Sequence, residues 1–206
     1  AGIAAILEAV QLLQEEKVEH GTVEILFTVG EEQGLQGGKA LDVKQITAPM
    51  GFILDSNGDI GSIIVQGPCQ NMVEATIIGK SAHAGMNPEE GVNAIQVAAR
   101  AINSMRLGRI DAETTANIGQ IQGGEARNIV PEMVYLKGET RSLRRVRLEE
   151  ETKHMQECLE KAAGEFGAMV QIEIEELYPE FLLSEADQVV QVAQAAARRL
   201  GVKPTL

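Results

Sequence analysis

The sequence has no tryptophan, and aromatic residues make up only 3% of its 206 positions. Any core must therefore be built from Ile, Val, Leu, Ala and Met. Two cysteines, Cys69 and Cys158, are too few for a disulfide scaffold in a chain this long. They read as free, buried thiols of a reducing compartment, which makes the expected location cytoplasmic, although the sequence alone leaves a bridge open. Basic charge is scarce: 18 Lys and Arg stand against 30 Asp and Glu, a net charge of -12. A surface this acidic repels phosphate backbones and anionic lipid, so neither nucleic acid nor a membrane is an expected partner. No apolar run approaches the ~20 residues needed to span a bilayer. No internal repeat or low-complexity linker is present.

What is present is ordinary for a globular protein, with 44% hydrophobic and 23% charged residues. At roughly 150 residues per domain, the length suits one large domain, or one domain and part of another. The chain opens without Met or a basic segment, so it does not begin with an intact secretory signal. Ile3, Ile6, Leu7, Val10 and Leu13 follow helical spacing from the first residues, with no capping side chain ahead of them. The expectation drawn from this start is a fragment of a longer protein. The opening helix should run to about Lys17. Thr22–Val29 reads as a buried strand, a short helix is expected around Gly37–Leu41, and Gly51–Asp55 reads as a second strand. Helix, strand, helix, strand predicts an α/β fold with a mostly parallel sheet.

The pattern changes near Gly67-Pro68. Strands are expected at Cys69–Ile78, Thr114–Ile121, Met133–Ser142 and Met169–Glu176. Amphipathic helices are expected along Val92–Ile102 and Glu149–Phe166. The order β-α-β-β-α-β is the ferredoxin-like unit, a four-stranded antiparallel sheet with both helices on one face. Its bare edges make dimerisation plausible. A last helix near Asp187–Leu200 carries an Ala-rich stripe suited to packing on the first segment. The domains expected are 1–66, 67–178 and 179–206, the first and third belonging to one α/β domain into which the second is inserted.

Several side chains could do chemistry. Glu31-Glu32 follows one predicted strand directly and Asp55 ends another; ligands of open α/β sheets bind beyond such strand ends. Three carboxylates gathered there would repel one another without a cation among them. One Glu can ligate a metal while its neighbour takes a proton from bound water. The plainer reading is that the two Glu cap the helix that follows. His83 lies in a glycine-bearing loop, Asn128 precedes Ile129-Val130-Pro131, and Arg141 ends a strand. By themselves these read as a solvated His, a turn and a surface ion pair. Arg144, Arg145 and Arg147 read as a solvated loop entering the Glu149 helix, and His20 and His154 as surface residues.

Taken together, the motifs resemble a family. Thr28-Val29-Gly30-Glu31-Glu32-Gln33-Gly34 is similar to the catalytic segment of the di-zinc metallopeptidases related to tripeptidase T, carboxypeptidase G and aminoacylase. Asp55 matches the next metal-ligand position. Gly79-Lys80-Ser81-Ala82-His83-Ala84-Gly85 resembles the family's lid-domain His loop. The stretch from Gly123 to Pro131 resembles its Asn-containing turn, and Gly138-Glu139-Thr140-Arg141 its substrate-binding Arg. The matches fall in family order across nearly the whole chain, with wording nearest the tripeptidase T branch.

The resemblance implies a zinc-exopeptidase α/β domain with an inserted ferredoxin-like lid. It implies a homodimer, two zinc ions per site and a short peptide substrate, such as a tripeptide cut from its amino end. Glu31 would be the general base, and Glu32 and Asp55 metal ligands. His83 would stabilise the oxyanion, often from the partner's lid, while Asn128 and Arg141 would hold the substrate. The family's His-x-Asp segment, bridging Asp and late His have no counterpart among His20, His83 and His154. This chain alone is therefore expected to bind no catalytic zinc and to cleave nothing. Deacylation of N-acyl amino acids, or a non-catalytic dimerisation or binding module, are the rival readings.

Overall fold

The computed structural model of the protein describes residues 2–206. It divides into two compact units: Gln66–Phe181, and the flanking segments up to Val65 and from Leu182 to Leu206.

The first flanking segment opens with helix α1 (Gly2–Glu15), none of whose residues is buried. A Cβ on Gly2 would stand 2.0 Å from the Leu54 carbonyl oxygen, so the start of α1 lies flush against the Leu54 backbone. Helix α2 is short (Gln36–Ala40). The segments expected as strands, Thr22–Val29 and Gly51–Asp55, have no hydrogen-bonded neighbour strand among the described residues. An extended segment becomes a strand only when a ladder satisfies its backbone. One anchor is nevertheless visible. The Glu24 carboxylate accepts from Thr47 N–H at 3.0 Å, Ala48 N–H at 3.1 Å and the Thr47 hydroxyl. These bonds, that of the Thr47 hydroxyl foremost, hold the Glu24 carboxyl below its ordinary range.

The central unit contains β1 (Gln66–Gly67), β2 (Cys69–Ile78), β3 (Ala82–His83), α3 (Ala94–Ser104), β4 (Gly108–Arg109) and β5 (Thr114–Gly123). It continues with β6 (Ile129–Val130), β7 (Met133–Ser142), α4 (Arg145–Phe166), β8 (Met169–Tyr178) and β9 (Phe181–Leu182), which crosses into the flanking unit. The main sheet has the order β4-β5-β7-β2-β8, with every pairing antiparallel. This is the expected ferredoxin-like sheet with one short edge strand, β4, added. Val73, Ala75 and Ile77 of β2 and Val134 and Leu136 of β7 are buried under α3 and α4. They pack with Val97, Ala101, Met155, Leu159 and Ala162 into one core. Phe166 at the end of α4 is partly exposed, as is Ile174 at the β8 edge.

Local chemistry sets the helix ends. Asn93 Oδ1 caps α3, accepting from the N–H groups of Ile95 and Gln96 at 3.0 and 3.1 Å. Helix α4 begins at Arg145, earlier than the expected Glu149. The basic run at this start is not a solvated loop. Arg144 pairs with Glu113, Arg145 with Glu176 and Glu180, and Arg147 with Asp111 and Glu150. Gly167 ends α4 with φ 69°, the left-handed conformation glycine adopts without strain. Several buried polar groups at this helix pair with one another: Thr152 Oγ1 meets Asn71 Nδ2 at 3.1 Å and Thr140 Oγ1 at 2.7 Å, and Thr114 meets Ser142 at 3.0 Å. Cys69 and Cys158 are both free and buried.

Helix α5 (Gln188–Arg199) returns to the flanking unit, where the chain from Gly61 to Ile63 bonds the terminal segment at Thr205. Val190 is the one buried residue described in that unit. Among the described residues, no helix is long and apolar enough to cross a membrane.

Candidate active site

Glu31 and Glu32 stand on a tight turn between the extended segment ending at Val29 and helix α2. The turn is made by glycine: Gly30 has φ 66°, and the Gly37 N–H donates to the Val29 carbonyl at 2.8 Å. A Cβ on Gly37 would lie 2.6 Å from the Val29 backbone nitrogen and oxygen, so only glycine lets α2 fold back so closely. The turn presents both carboxylates to solvent. Asp55 is also exposed, one residue beyond the Leu54 backbone that supports α1. Carboxylates of this kind suit a divalent cation. Among the described residues, however, no three His, Cys, Asp or Glu side chains converge as a metal-ligand set. Glu32 and Asp55 thus supply donor chemistry that fits part of a zinc shell, which needs about four ligands.

In the central unit the structure brings two distant motifs together. His83 on β3 pairs with Ile129 on β6, and the Ala84 N–H donates to the Asn128 carbonyl at 2.9 Å. The His loop and the Asn turn therefore form one locus. His83 Nδ1 accepts the Gly85 N–H at 3.1 Å. In the neutral imidazole this acceptor role puts the proton on Nε2, which makes Nε2 the donor. His20 is exposed as expected, whereas His154 is half-buried in α4, its Nε2 3.7 Å from Cys158 Sγ. Burial raises both thiols, so neither is a ready thiolate.

Arg141 lies elsewhere. It sits at the Ser142 end of β7, opposite Gln70 and Thr115, where the chain enters and leaves the unit. The His83 locus lies beyond the other end, where Ile78 pairs with Met133 and the Gly79 N–H reaches the Glu132 carbonyl. At ~3.3 Å per residue, the strand from Met133 to Arg141 spans about 26 Å. The three expected substrate-binding residues are thus two loci at opposite ends of one sheet, not one cluster within a chain.

Glu139, on the same face of β7, holds the Arg141 guanidinium from both sides of the fork. Nε donates to Oε1 at 2.9 Å and Nη2 to Oε2 at 3.0 Å, and Gln70 Nε2 donates to the same carboxylate at 2.8 Å. The Glu139 partnership raises the Arg141 pKa above its ordinary value. The signal in the sequence is the spacing: residues two apart on a strand share a face. The pairing with Glu139 uses two of the five guanidinium donors. Two surface hollows, one between Pro88 and Phe166 and the other between Asp111 and Arg147, involve none of these site residues.

Comparison with known proteins supplies what the geometry leaves out. Residues 71–167 match the peptidase dimerisation domain, and residues 1–62 match peptidase family M28. The aminopeptidase PepT of Bacillus cereus is 48% identical across the whole chain, with a TM-score of 0.86, and the match covers 55% of that protein. In sequence and in fold the chain is similar to this aminopeptidase. A tripeptidase of Staphylococcus aureus superposes on this chain with a TM-score of 0.90 at 42% identity, over 98% of this chain and 54% of that one. An uncharacterized Bacillus subtilis protein, YqjE, is 50% identical over 98% of the chain and 54% of its own length. The chain therefore spans about half the length of the relatives it matches.

Proposed function

We propose that the whole protein is a metal-dependent exopeptidase of short peptides, cleaving tripeptides from the amino end. The observation that carries this reading is the 48% identity with an aminopeptidase across the whole chain, with the Glu31-Glu32 turn inside the match. Residues 1–66 and 179–206 would belong to its catalytic domain, and residues 67–178 would form the lid. Glu32 and Asp55 would hold metal, with zinc the fitting ion once His ligands complete the set. When bound, such a metal supplies Lewis acidity and an activated water. Glu31, adjacent to a ligand but not itself needed as one, would accept the water's proton and pass it to the leaving amine. His83 Nε2–H would donate to the developing oxyanion, and Arg141 would bind the substrate carboxylate with its remaining donors, Asn128 assisting. A homodimer and a reducing, cytoplasmic location fit the dimerisation domain and the two free thiols. The 206-residue chain by itself would bind no catalytic zinc and turn over nothing, because an incomplete ligand set has little affinity.

The test is tripeptide hydrolysis by the protein expressed at the full length of its gene, with bound metal measured in parallel. Glu31→Gln should lower kcat by roughly 100-fold or more with metal content unchanged, whereas Glu32→Gln should lose metal. Cleavage of N-acyl amino acids without tripeptide cleavage would reassign the enzyme as a deacylase. No hydrolysis of either class would leave a binding module.

A further inference from the structure

We propose that Glu139, backed by the buried amide of Gln70, is the positioning residue that turns the end edge of the Arg141 guanidinium toward the substrate, so that the site selects peptides with a free C-terminal carboxylate. The proposal rests on the reading of Arg141 given above. It adds the residues that aim this side chain and the chemical group that the aimed fork accepts.

A guanidinium has two kinds of edge that match a carboxylate. The side edge offers Nε–H with one N–H of an Nη nitrogen, and the end edge offers one N–H from each Nη. Glu139 occupies the side edge of Arg141, taking Nε at 2.9 Å and Nη2 at 3.0 Å. The end edge, made by Nη1 and the second hydrogen of Nη2, has no partner among the described residues. The Arg141 side chain is 44% exposed, so this edge is open to a ligand. An amide at the same place offers one acceptor and turns its own donors toward the fork, whereas a carboxylate accepts from both nitrogens.

Three other arginines of the unit show that this arrangement is particular to Arg141. Arg100 and Arg147 are held on the same side edge, by Glu165 and Asp111, yet in each Nη1 is bonded as well, to Ser104 Oγ at 3.1 Å and to Glu150. Arg145 has its end edge closed by Glu176, with Glu180 on Nη2 in addition. Those three are spent on the structure. Of the four, only Arg141 is fixed on its side edge with its end edge left open.

What holds Glu139 is itself anchored in the sheet. Gln70 is 6% exposed, and its Nε2 donates at 2.8 Å to Glu139 Oε2, the oxygen that also receives Nη2. Gln70 stands opposite Arg141 on β2, so the amide reaches Glu139 from the neighbouring strand. A plain surface ion pair gains little, because ordering two long side chains offsets the attraction. Here the ordering is in place before a ligand arrives, and a preordered fork loses less freedom on binding. Glu139 also repels an incoming carboxylate, but that repulsion acts across the width of the guanidinium in solvent, where a Debye length of about 8 Å screens it. The gain in order therefore outweighs the repulsion.

The experiment uses the protein expressed at the full length of its gene, with a tripeptide and its C-terminal amide as paired substrates. Where the amide is not cleaved, its inhibition constant takes the place of KM. Glu139→Gln should raise KM for the free tripeptide about 10-fold with kcat retained, so the preference for acid over amide shrinks by that factor. Gln70→Glu, which cannot donate to Glu139, should shift the preference the same way. An equal loss on both peptides makes Glu139 a structural support and overturns the inference. Arg141→Ala separates the two readings. If the preference survives that change, Arg141 does not bind the substrate carboxylate; if it collapses there but not in Glu139→Gln, only the positioning role fails. A second arm needs no turnover: in the 206-residue chain the Arg141 Nε–H should give an NMR signal protected from exchange with water, and Glu139→Gln should remove the protection. An unchanged signal overturns the positioning role, and a full-length protein that hydrolyses neither peptide overturns the carboxylate selectivity.

Discussion

Asp111 and Arg147 show how much of the surface order is electrostatic. Arg147 Nη2 donates to Asp111 Oδ2 at 2.8 Å, and the Glu113 N–H donates to Oδ1 at 2.8 Å. The Arg147 bond is the main cause that holds the Asp111 carboxyl far below its ordinary range. A carboxyl depressed in the folded state adds stability above its unfolded value, near ~3.9, and loses it as pH falls through the folded value. Asp111→Asn should therefore lower Tm most at neutral pH, and the gap should close in strong acid; a gap constant from pH 7 to pH 2 would refute the assignment. These pairings were invisible in sequence, because Asp111 and Arg147 meet only when the loop before β5 reaches the start of α4. The role of Glu139 beside Arg141 was legible in principle from strand spacing. The joining of His83 to Asn128 was not, since two-residue strands carry almost no periodicity.

At the level of elements, the central unit was readable because its patterns agree. Alternation in β2 and β7 and a helical stripe in α4 all point into one core. Leu159, 1% exposed, lies in that stripe. Leu159→Ala should cost about 2–5 kcal/mol, seen as a lower urea midpoint with an unchanged slope. The flanking segments were less readable. Thr22–Val29 has strand-forming residues, yet a strand needs a neighbour, and none is described there. The basic run at the start of α4 misled for a related reason: charge clusters read as solvated until the acidic partners are brought near by the fold.

The two units of the whole molecule should differ in stability. The central unit has a continuous core, whereas the flanking unit buries, among the described residues, only Val190 and leaves Ile53, Val29 and Ile60 largely exposed. Hydrogen exchange on the 206-residue chain should find slow amides in β2, β7 and α4, and fast exchange through α1 and residues 22–29. Equal protection in both units would contradict this. The overall class and the insertion were legible from motif order and the pattern change at Gly67-Pro68. The extent of burial was not, because apolar composition does not say which surfaces meet.

The crossing strands have one more consequence. A Cβ on Gly67 would meet the Phe181 ring at 2.2 Å, and Arg145 grips Glu176 and Glu180 on the way out. The two ends of the central unit are therefore stitched together by its own side chains. Such a cassette has its severed ends side by side, so it can be cut out or grafted into a loop of an unrelated host without prising open its interior.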